Sequence, residues 1–104
     1  MTNEELMNNV RKTYEKRKEE INKDLHDYNY WELYIRYELC EWLDTIIREY
    51  PDDNEELIEY LKTRHDPLGW LFDVMLDKED EMWDGISNTT YYQMKWEKEH
   101  GYDK

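Results

Sequence analysis

The chain of 104 residues carries 14 basic and 27 acidic residues, which gives a formal net charge of −13 at pH 7 with histidine neutral. A negative charge of this size repels phosphate, so direct binding to free nucleic acid is excluded as an expected function. Ten Tyr, five Trp and one Phe argue against a disordered acidic chain, because disordered chains are poor in aromatic residues. We therefore expect residues 1–104 to form one small folded domain.

Four further features of the sequence indicate where the protein works. No apolar run approaches the roughly 20 residues of a membrane span, and the acidic N-terminus is unlike a secretory signal. The single cysteine, Cys40, cannot form an internal disulfide, which is typical of a reducing compartment. The composition lacks Ala and is rich in Asn, Lys and Ile, as AT-rich coding produces. We predict the cytoplasm of a low-GC bacterial host cell.

Helical periodicity begins near the N-terminus. Thr2 and Glu5 have the spacing of a capping box, which predicts a helix over about residues 3–25. Its apolar stripe is narrow and interrupted by charged residues. We therefore expect the segment 1–25 to project from the domain or to pack against a partner, as in a homodimer.

Two helices are predicted in the middle of the chain. The pattern over about 30–49 is the strongest in the sequence and ends before Pro51, because the residue before proline is disfavoured in a helix. A short helix is predicted over about 54–64, where Asp53 and Glu56 repeat the spacing of a capping box.

The last third of the chain is also predicted to be helical. Asp66 followed by Pro67 is typical of a helix start, and Gly101 could end a last helix over about 89–99. Whether the helix between them continues through 85–90 is left open. Strand signals are weak, so we expect an all-α fold, a single small domain of four to five helices packed as an irregular bundle.

The sequence contains no strong catalytic or metal-binding constellation. Cys40 lies next to the apolar face of a helix and Ser87 is in no known nucleophile context, so neither indicates a catalytic nucleophile. Glu97 and His100 form a single Glu-x-x-His pair, whereas di-iron bundles use two such pairs. We expect no enzymatic activity, no cofactor and no metal site, and leave open only a weak site using Cys40, His65 or His100.

The acidic charge is concentrated in the middle of the chain. Residues 32–60 hold ten acids and two bases, and residues 66–88 hold seven acids and one base. On an ideal helix, four aspartates of the second segment fall within about 60° of one another. The first segment contains a stretch, 49–59, with six acids and no base. The predicted partner-binding residues are Glu49, Asp52, Asp53, Glu55, Glu56 and Glu59 in the first set, and Asp73, Asp77, Asp80 and Asp84 in the second.

Carboxylates arranged in this way can imitate the phosphates of nucleic acid. Such a surface would bind the Arg and Lys side chains of a basic groove, with attraction acting at long range. Exposed Tyr and Trp side chains beside the acids would be ordinary interface anchors. A solvated acidic face without a partner is the alternative explanation of the same pattern.

Motifs between residues 33 and 90 resemble a known group of proteins. They are Asp66-Pro67-Leu68, Leu71-Phe72-Asp73, Glu79-Asp80, Met82, Asp84, Ile86 and Thr89. The stretch resembles a family of short, acidic, helical proteins of unassigned function from low-GC Gram-positive bacteria and their mobile elements. In size and charge the chain is also similar to phage-encoded anti-CRISPR inhibitors, several of which are acidic nucleic-acid mimics.

Two functions are therefore expected from the sequence. The first is a phage or mobile-element inhibitor that binds the basic nucleic-acid groove of a CRISPR effector nuclease through an acidic, DNA-mimicking face. Competition with DNA and locking of a conformation are both open as its mode of action. The alternative is a non-enzymatic helical adaptor or a dimerising interaction protein, with dimerisation through the first helix, which does not imitate nucleic acid.

Overall fold

A computed structural model describes residues 1–21, 27–77 and 86–101 of the chain. These ranges contain five α-helices and no strand, which confirms the all-α prediction. None of these helices is both long enough and apolar enough to span a membrane. The helices are α1 (Asn3–Ile21), α2 (Asp27–Glu49), α3 (Glu55–Thr63), α4 (Pro67–Asp77) and α5 (Ile86–Glu99).

Local sequence determines several of the helix ends. The backbone N–H of Glu5 donates to Thr2 Oγ1 at 3.1 Å, and Glu5 Oε1 accepts from the backbone N–H of Thr2 at 3.0 Å. This confirms the capping box, and the backbone hydrogen bond from Thr2 lowers the pKa of Glu5. Asp66 Oδ1 accepts from the N–H of Gly69 at 3.1 Å, directly before α4. Gly101 follows α5 with a φ of 63°, as predicted for a C-terminal cap.

The start of α3 differs from the prediction. The N-cap residue is Asn54, and its side chain makes no capping hydrogen bond. Asn54 Nδ2 instead donates to the carbonyl of Tyr50 at 2.9 Å, which satisfies an acceptor at the end of α2. The capping box predicted from Asp53 and Glu56 is therefore wrong, because the Glu56 carboxylate turns towards lysines of α5.

The helix bounds also answer part of the question about residues 85–90. Residues 86–90 are helical and belong to α5, which begins three residues before the predicted start at 89. Thr90 Oγ1 donates to the carbonyl of Ile86 at 2.7 Å, so this hydroxyl is satisfied within the helix. The predicted course of the chain over 22–26 and 78–85 lies outside the described residues.

The first helix packs into the core. Leu6 and Val10 are fully buried, and α1 packs against α2, α3 and α4. The helix therefore does not project, since the apolar residues of its first half are enough to anchor it. Dimerisation through this helix stays a prediction.

A buried ion-pair network fastens the second half of α1 to α2. Glu32 of α2 is 3% exposed and accepts from Arg17 Nε at 2.6 Å and from Arg17 Nη2 at 3.1 Å. Arg36 Nε donates to the same carboxylate at 2.8 Å, and its guanidinium lies 4.4 Å above the ring of Phe72. Hydrogen bonds to Glu32 raise the pKa of Arg17. The network therefore links α1, α2 and α4 through one carboxylate.

Gly69 leaves room for the Asp66 side chain that caps the start of α4. A Cβ at this position would lie 2.3 Å from Asp66 Oδ2, so Gly69→Ala should displace the capping carboxylate. Although Ala is the better helix former, we expect this variant to lose about 1 kcal/mol of unfolding free energy through the lost cap and the clash. Urea denaturation measures this change.

The Asp66→Ala background provides the control for that prediction. Without the Asp66 carboxylate there is no clash, so Gly69→Ala should then stabilise the protein by about 1 kcal/mol. The expected result is thus a reversal of sign between the two backgrounds. Stabilisation of the otherwise unchanged chain by Gly69→Ala would show that the cap does not depend on this glycine.

Candidate functional site

The first predicted acidic set lies on the connection between α2 and α3. We call it the 49–59 acidic surface; it consists of Glu49, Asp52, Asp53, Glu55, Glu56 and Glu59, all exposed. Glu49 ends α2, the two aspartates lie in the turn, and the other three acids are on α3. The short helix buries Leu57, Ile58 and Leu61, and this amphipathic pattern directs its glutamates outwards.

Two acids of this surface are neutralised within the protein. Glu56 lies 3.4 Å from Lys95 Nζ and 3.3 Å from Lys98 Nζ, both on α5. The hydrogen bond from Lys98, with the charges of both lysines, lowers the pKa of Glu56, while Tyr91 and Glu56 raise the pKa of Lys95. Glu59 accepts from Lys62 Nζ at 2.7 Å. Glu56 therefore links α3 to α5, whereas Glu59 pairs with a lysine in the last turn of α3.

The other four acids of the surface carry its available charge. Within the part of the chain that the structure describes, no Lys or Arg pairs with Glu49, Asp52, Asp53 or Glu55. Tyr50 lies between the first two of them and is 54% exposed. The predicted combination of exposed acids with an exposed aromatic side chain is thus present at the end of α2.

The second predicted acidic set is described only in part. Asp73 is exposed on α4, and Asp77 is the last residue of that helix. The side chain of Asp77 and the whole of Asp80 and Asp84 lie outside the described residues. The row of four aspartates therefore stays a prediction, and Asp73 is the one member whose side chain lies within the described residues.

Sequence reasoning missed the role of Glu97. Its side chain is buried at 2% exposure and accepts from Tyr60 Oη at 2.7 Å and from Gln93 Nε2 at 2.9 Å. Trp70 Nε1 lies 3.0 and 2.9 Å from its two oxygens, and Arg64 Nη1 is 4.0 Å away. The Glu97 carboxylate thus joins α3, α4 and α5. Its two oxygens accept from neutral donors, and the guanidinium of Arg64 lies opposite its negative charge.

The Glu-x-x-His pair does not converge on one point. Glu97 faces the core, whereas His100 is exposed and stacks on Trp96 with ring centroids 4.3 Å apart. His100 Nδ1 lies 2.8 Å from the Trp96 carbonyl oxygen, at the end of α5. Among the residues in 1–21, 27–77 and 86–101, no group of three or more His, Cys, Asp or Glu side chains is placed to hold a metal ion.

Cys40 is the buried structural thiol that the sequence predicted. It lies on α2, and its side chain is 2% exposed in the hydrophobic core of the bundle. Burial raises the pKa of the thiol to about 11, because the charged thiolate is disfavoured away from water. At neutral pH this thiol is protonated and is not a nucleophile.

The geometry therefore provides an exposed acidic surface supported by the buried core of the helical bundle. Comparison of the chain with protein-family models, curated proteins and solved structures finds no match. The features that indicate a function are therefore the side chains themselves, above all the carboxylates at the end of α2 and the start of α3 that have no ion pair within the described residues.

Proposed function

We propose that the protein inhibits a bacterial CRISPR effector nuclease by placing the 49–59 acidic surface in the basic groove that holds nucleic acid. The groove of such an enzyme presents Arg and Lys side chains to phosphates, and carboxylates can pair with the same groups. The size and acidity of the chain favour this class of target, since both are similar to those of known phage-encoded inhibitors.

The position of Glu49 is the observation that carries the proposal. Acids near the N-terminus of a helix are stabilising, so Asp52, Asp53 and Glu55 have a structural explanation at the start of α3. Glu49 is the last residue of α2, where the helix dipole disfavours a negative charge, and no described base compensates it. A residue that opposes local stability on an exposed surface is expected where binding is the selected property.

The spacing of the carboxylates is compatible with phosphate mimicry. Glu55 and Glu59 are separated by about 6 Å of helix rise, whereas a DNA strand presents one phosphate per roughly 3.4 Å of axis. One helix face is therefore too sparse to imitate a strand by itself. The acids at the end of α2 and in the turn increase the density, which explains why the surface spans a helix–turn–helix junction.

Neutralisation of the four acids that have no ion pair among the described residues tests the proposal. The variant Glu49→Gln, Asp52→Asn, Asp53→Asn, Glu55→Gln should inhibit a panel of purified, guide-loaded CRISPR nucleases at least about a hundredfold more weakly, because four charge-assisted contacts are lost. Inhibition of DNA cleavage measures this loss. Binding by the unchanged chain should also weaken steeply between 50 and 200 mM salt, as expected for exposed ion pairs screened over about 10 Å.

A second variant with the same net charge serves as the control. Glu4, Glu15, Glu19 and Glu99 are exposed acids on α1 and α5, and their change to Gln should alter inhibition by less than about threefold if the effect is local. Equal losses in both variants would show that only net charge matters. Salt-independent inhibition, or no loss in the first variant, would contradict the proposal.

A further inference from the structure

Three tyrosines form an exposed row on the first half of α2. Tyr30, Tyr34 and Tyr37 are spaced at i, i+4 and i+7, which places them on one face of the helix. Their exposed fractions are 57%, 55% and 47%. Tyr14 of α1 lies beside the last of them, with ring centroids 6.0 Å apart, and widens the row. We call these four residues the tyrosine surface.

A contiguous row of this kind is typical of an interaction surface. Single exposed apolar side chains are ordinary, whereas neighbouring exposed aromatic rings are enriched where proteins meet. A tyrosine combines a large apolar ring with a hydroxyl that can stay in water at the rim of an interface. The row is also separate from the 49–59 acidic surface, because about 18 Å of helix rise lies between Tyr37 and Glu49.

The tyrosine surface is locally neutral in a strongly acidic chain. Between positions 30 and 37 the charged residues are Glu32 and Arg36, which pair with each other at 2.8 Å. The neighbouring α1 holds five acids and five bases. A basic partner is attracted to the acidic surfaces elsewhere. A second copy, which also carries −13, can approach closely only where the repulsion is smallest, and this surface meets that condition.

The spacing of the row is self-complementary. When two α2 helices pack antiparallel about a two-fold axis midway between positions 30 and 37, Tyr30 of each copy faces Tyr37 of the other. The Tyr34 side chains then lie near the axis. Aromatic rings prefer tilted or edge-on contacts, and the tilt of 57° between Tyr14 and Tyr37 shows such a contact within one chain.

We propose that the protein forms an antiparallel homodimer through the tyrosine surface. This contact differs from the one predicted from the apolar stripe of α1, because it is centred on α2. The rings of both copies bury roughly 600 Å² if about half of each becomes covered, which is in the range of weak, reversible dimers. Both 49–59 acidic surfaces stay exposed in the dimer, so a basic partner meets two of them.

Sedimentation equilibrium of the full chain at about 100 µM tests the proposal. We expect a mass that approaches twice the 13.2 kDa of the single chain. Tyr30→Glu should raise the dissociation constant of the dimer at least about tenfold, because it removes a ring and places a charge in the contact. An acid is favoured near the start of α2, so this variant should remain helical by circular dichroism.

The matched control is Tyr92→Glu, which makes the same change of charge at a 72% exposed tyrosine of α5. It should change the dissociation constant by less than about threefold. Raising the salt from 50 to 500 mM should strengthen the dimer, because salt screens the repulsion between two acidic copies. A monomer at 100 µM, equal effects of the two variants, or a dimer that weakens with salt would overturn the proposal.

Disulfide formation tests the orientation of the two copies. In an equimolar mixture of Tyr30→Cys and Tyr37→Cys chains, the disulfide between different variants should predominate. Two cysteines at the same position would be offset by about 10 Å along the helices, whereas disulfides join Cα atoms within about 7 Å. Cys40 is buried and does not compete. A predominance of disulfides between identical variants would overturn the antiparallel packing and the proposal with it.

The dimer is independent of the proposed function and is measured without a nuclease. If the variant neutralised at residues 49, 52, 53 and 55 still inhibits the nuclease while the unchanged chain dimerises as expected, the proposed function fails and the dimer stands. If the unchanged chain inhibits the nuclease but is a monomer, the reverse holds.

Discussion

Replacement of Glu97 by leucine is expected to lower the free energy of unfolding by about 4 kcal/mol. The substitution removes the acceptor of Tyr60 Oη and Trp70 Nε1 and leaves the Arg64 guanidinium without its buried carboxylate. Tyr60 Oη and Trp70 Nε1 then lack this acceptor in a buried environment. The loss of the carboxylate opposite the buried guanidinium lowers the free energy of unfolding further than the loss of these hydrogen bonds alone. Urea denaturation followed by circular dichroism measures the loss.

The next glutamate on the same helix is the control for this prediction. Glu99 is exposed near the end of α5, so Glu99→Leu should change stability by less than about 0.5 kcal/mol. Glu97→Gln keeps the size of the side chain and one acceptor but turns an amide N–H₂ towards donors, so we expect an intermediate loss of about 2 kcal/mol. Equal stability of the Leu variant and the unchanged chain would show that Glu97 does not fasten the three helices.

The second large effect on stability is expected from substitution of Glu32, and this effect should depend on pH. Glu32→Gln should cost about 3 kcal/mol at pH 7, because Arg17 and Arg36 lose the carboxylate that both of them bind. Burial raises the pKa of Glu32, but the hydrogen bonds and charges of the two arginines outweigh it, so the pKa lies below its ordinary value.

The sign of the pH effect follows from that lowered pKa. The unfolded state takes up the proton at higher pH than the folded state does, so the Glu32 contribution is complete above the unfolded pKa. It is lost as the pH falls through the lower pKa of the folded protein. The stability difference between the unchanged chain and Glu32→Gln should therefore be full at pH 7 and shrink towards pH 2. A difference that stays constant over this range in urea unfolding would contradict the assignment.

Features that depend on neighbours in sequence could be predicted. The hydrogen bonds of Thr2 and Asp66 and the left-handed backbone of Gly101 are all determined within a few residues, and the structure confirms each of these predictions. The same holds for the burial of Cys40, which follows from its position beside an apolar helix face. Helix type and these caps are local properties, whereas the capping box predicted from Asp53 and Glu56 failed because Glu56 pairs with lysines of α5.

Contacts between distant residues could not be predicted in the same way. The stretch 49–59 has no base in its own sequence, yet Glu56 is paired with Lys98, which is 42 residues away. Glu32 likewise meets Arg17 only after α1 and α2 have packed. Which acids are free for a partner is thus a tertiary property, and four of the six in this set have no described ion pair.

The helical spacing of the sequence already places Glu97 on the buried face of α5. Thr90, Met94 and Glu97 are spaced at i, i+4 and i+7, and all three are buried. An acid on the inner face of a predicted helix requires donors from other helices, and these cannot be named before the fold is known. The pattern therefore indicates that such a carboxylate is structural without identifying Tyr60 and Trp70 as its partners.

The buried thiol of Cys40 makes the protein suitable for site-directed cross-linking. Because this thiol is 2% exposed and its pKa is raised to about 11, it reacts poorly with maleimides or disulfide reagents near pH 7. A second cysteine introduced by Asp53→Cys would then be the reactive thiol, with the native Cys40 left in place. A photoactivatable group attached there would label whatever protein docks on the junction of α2 and α3.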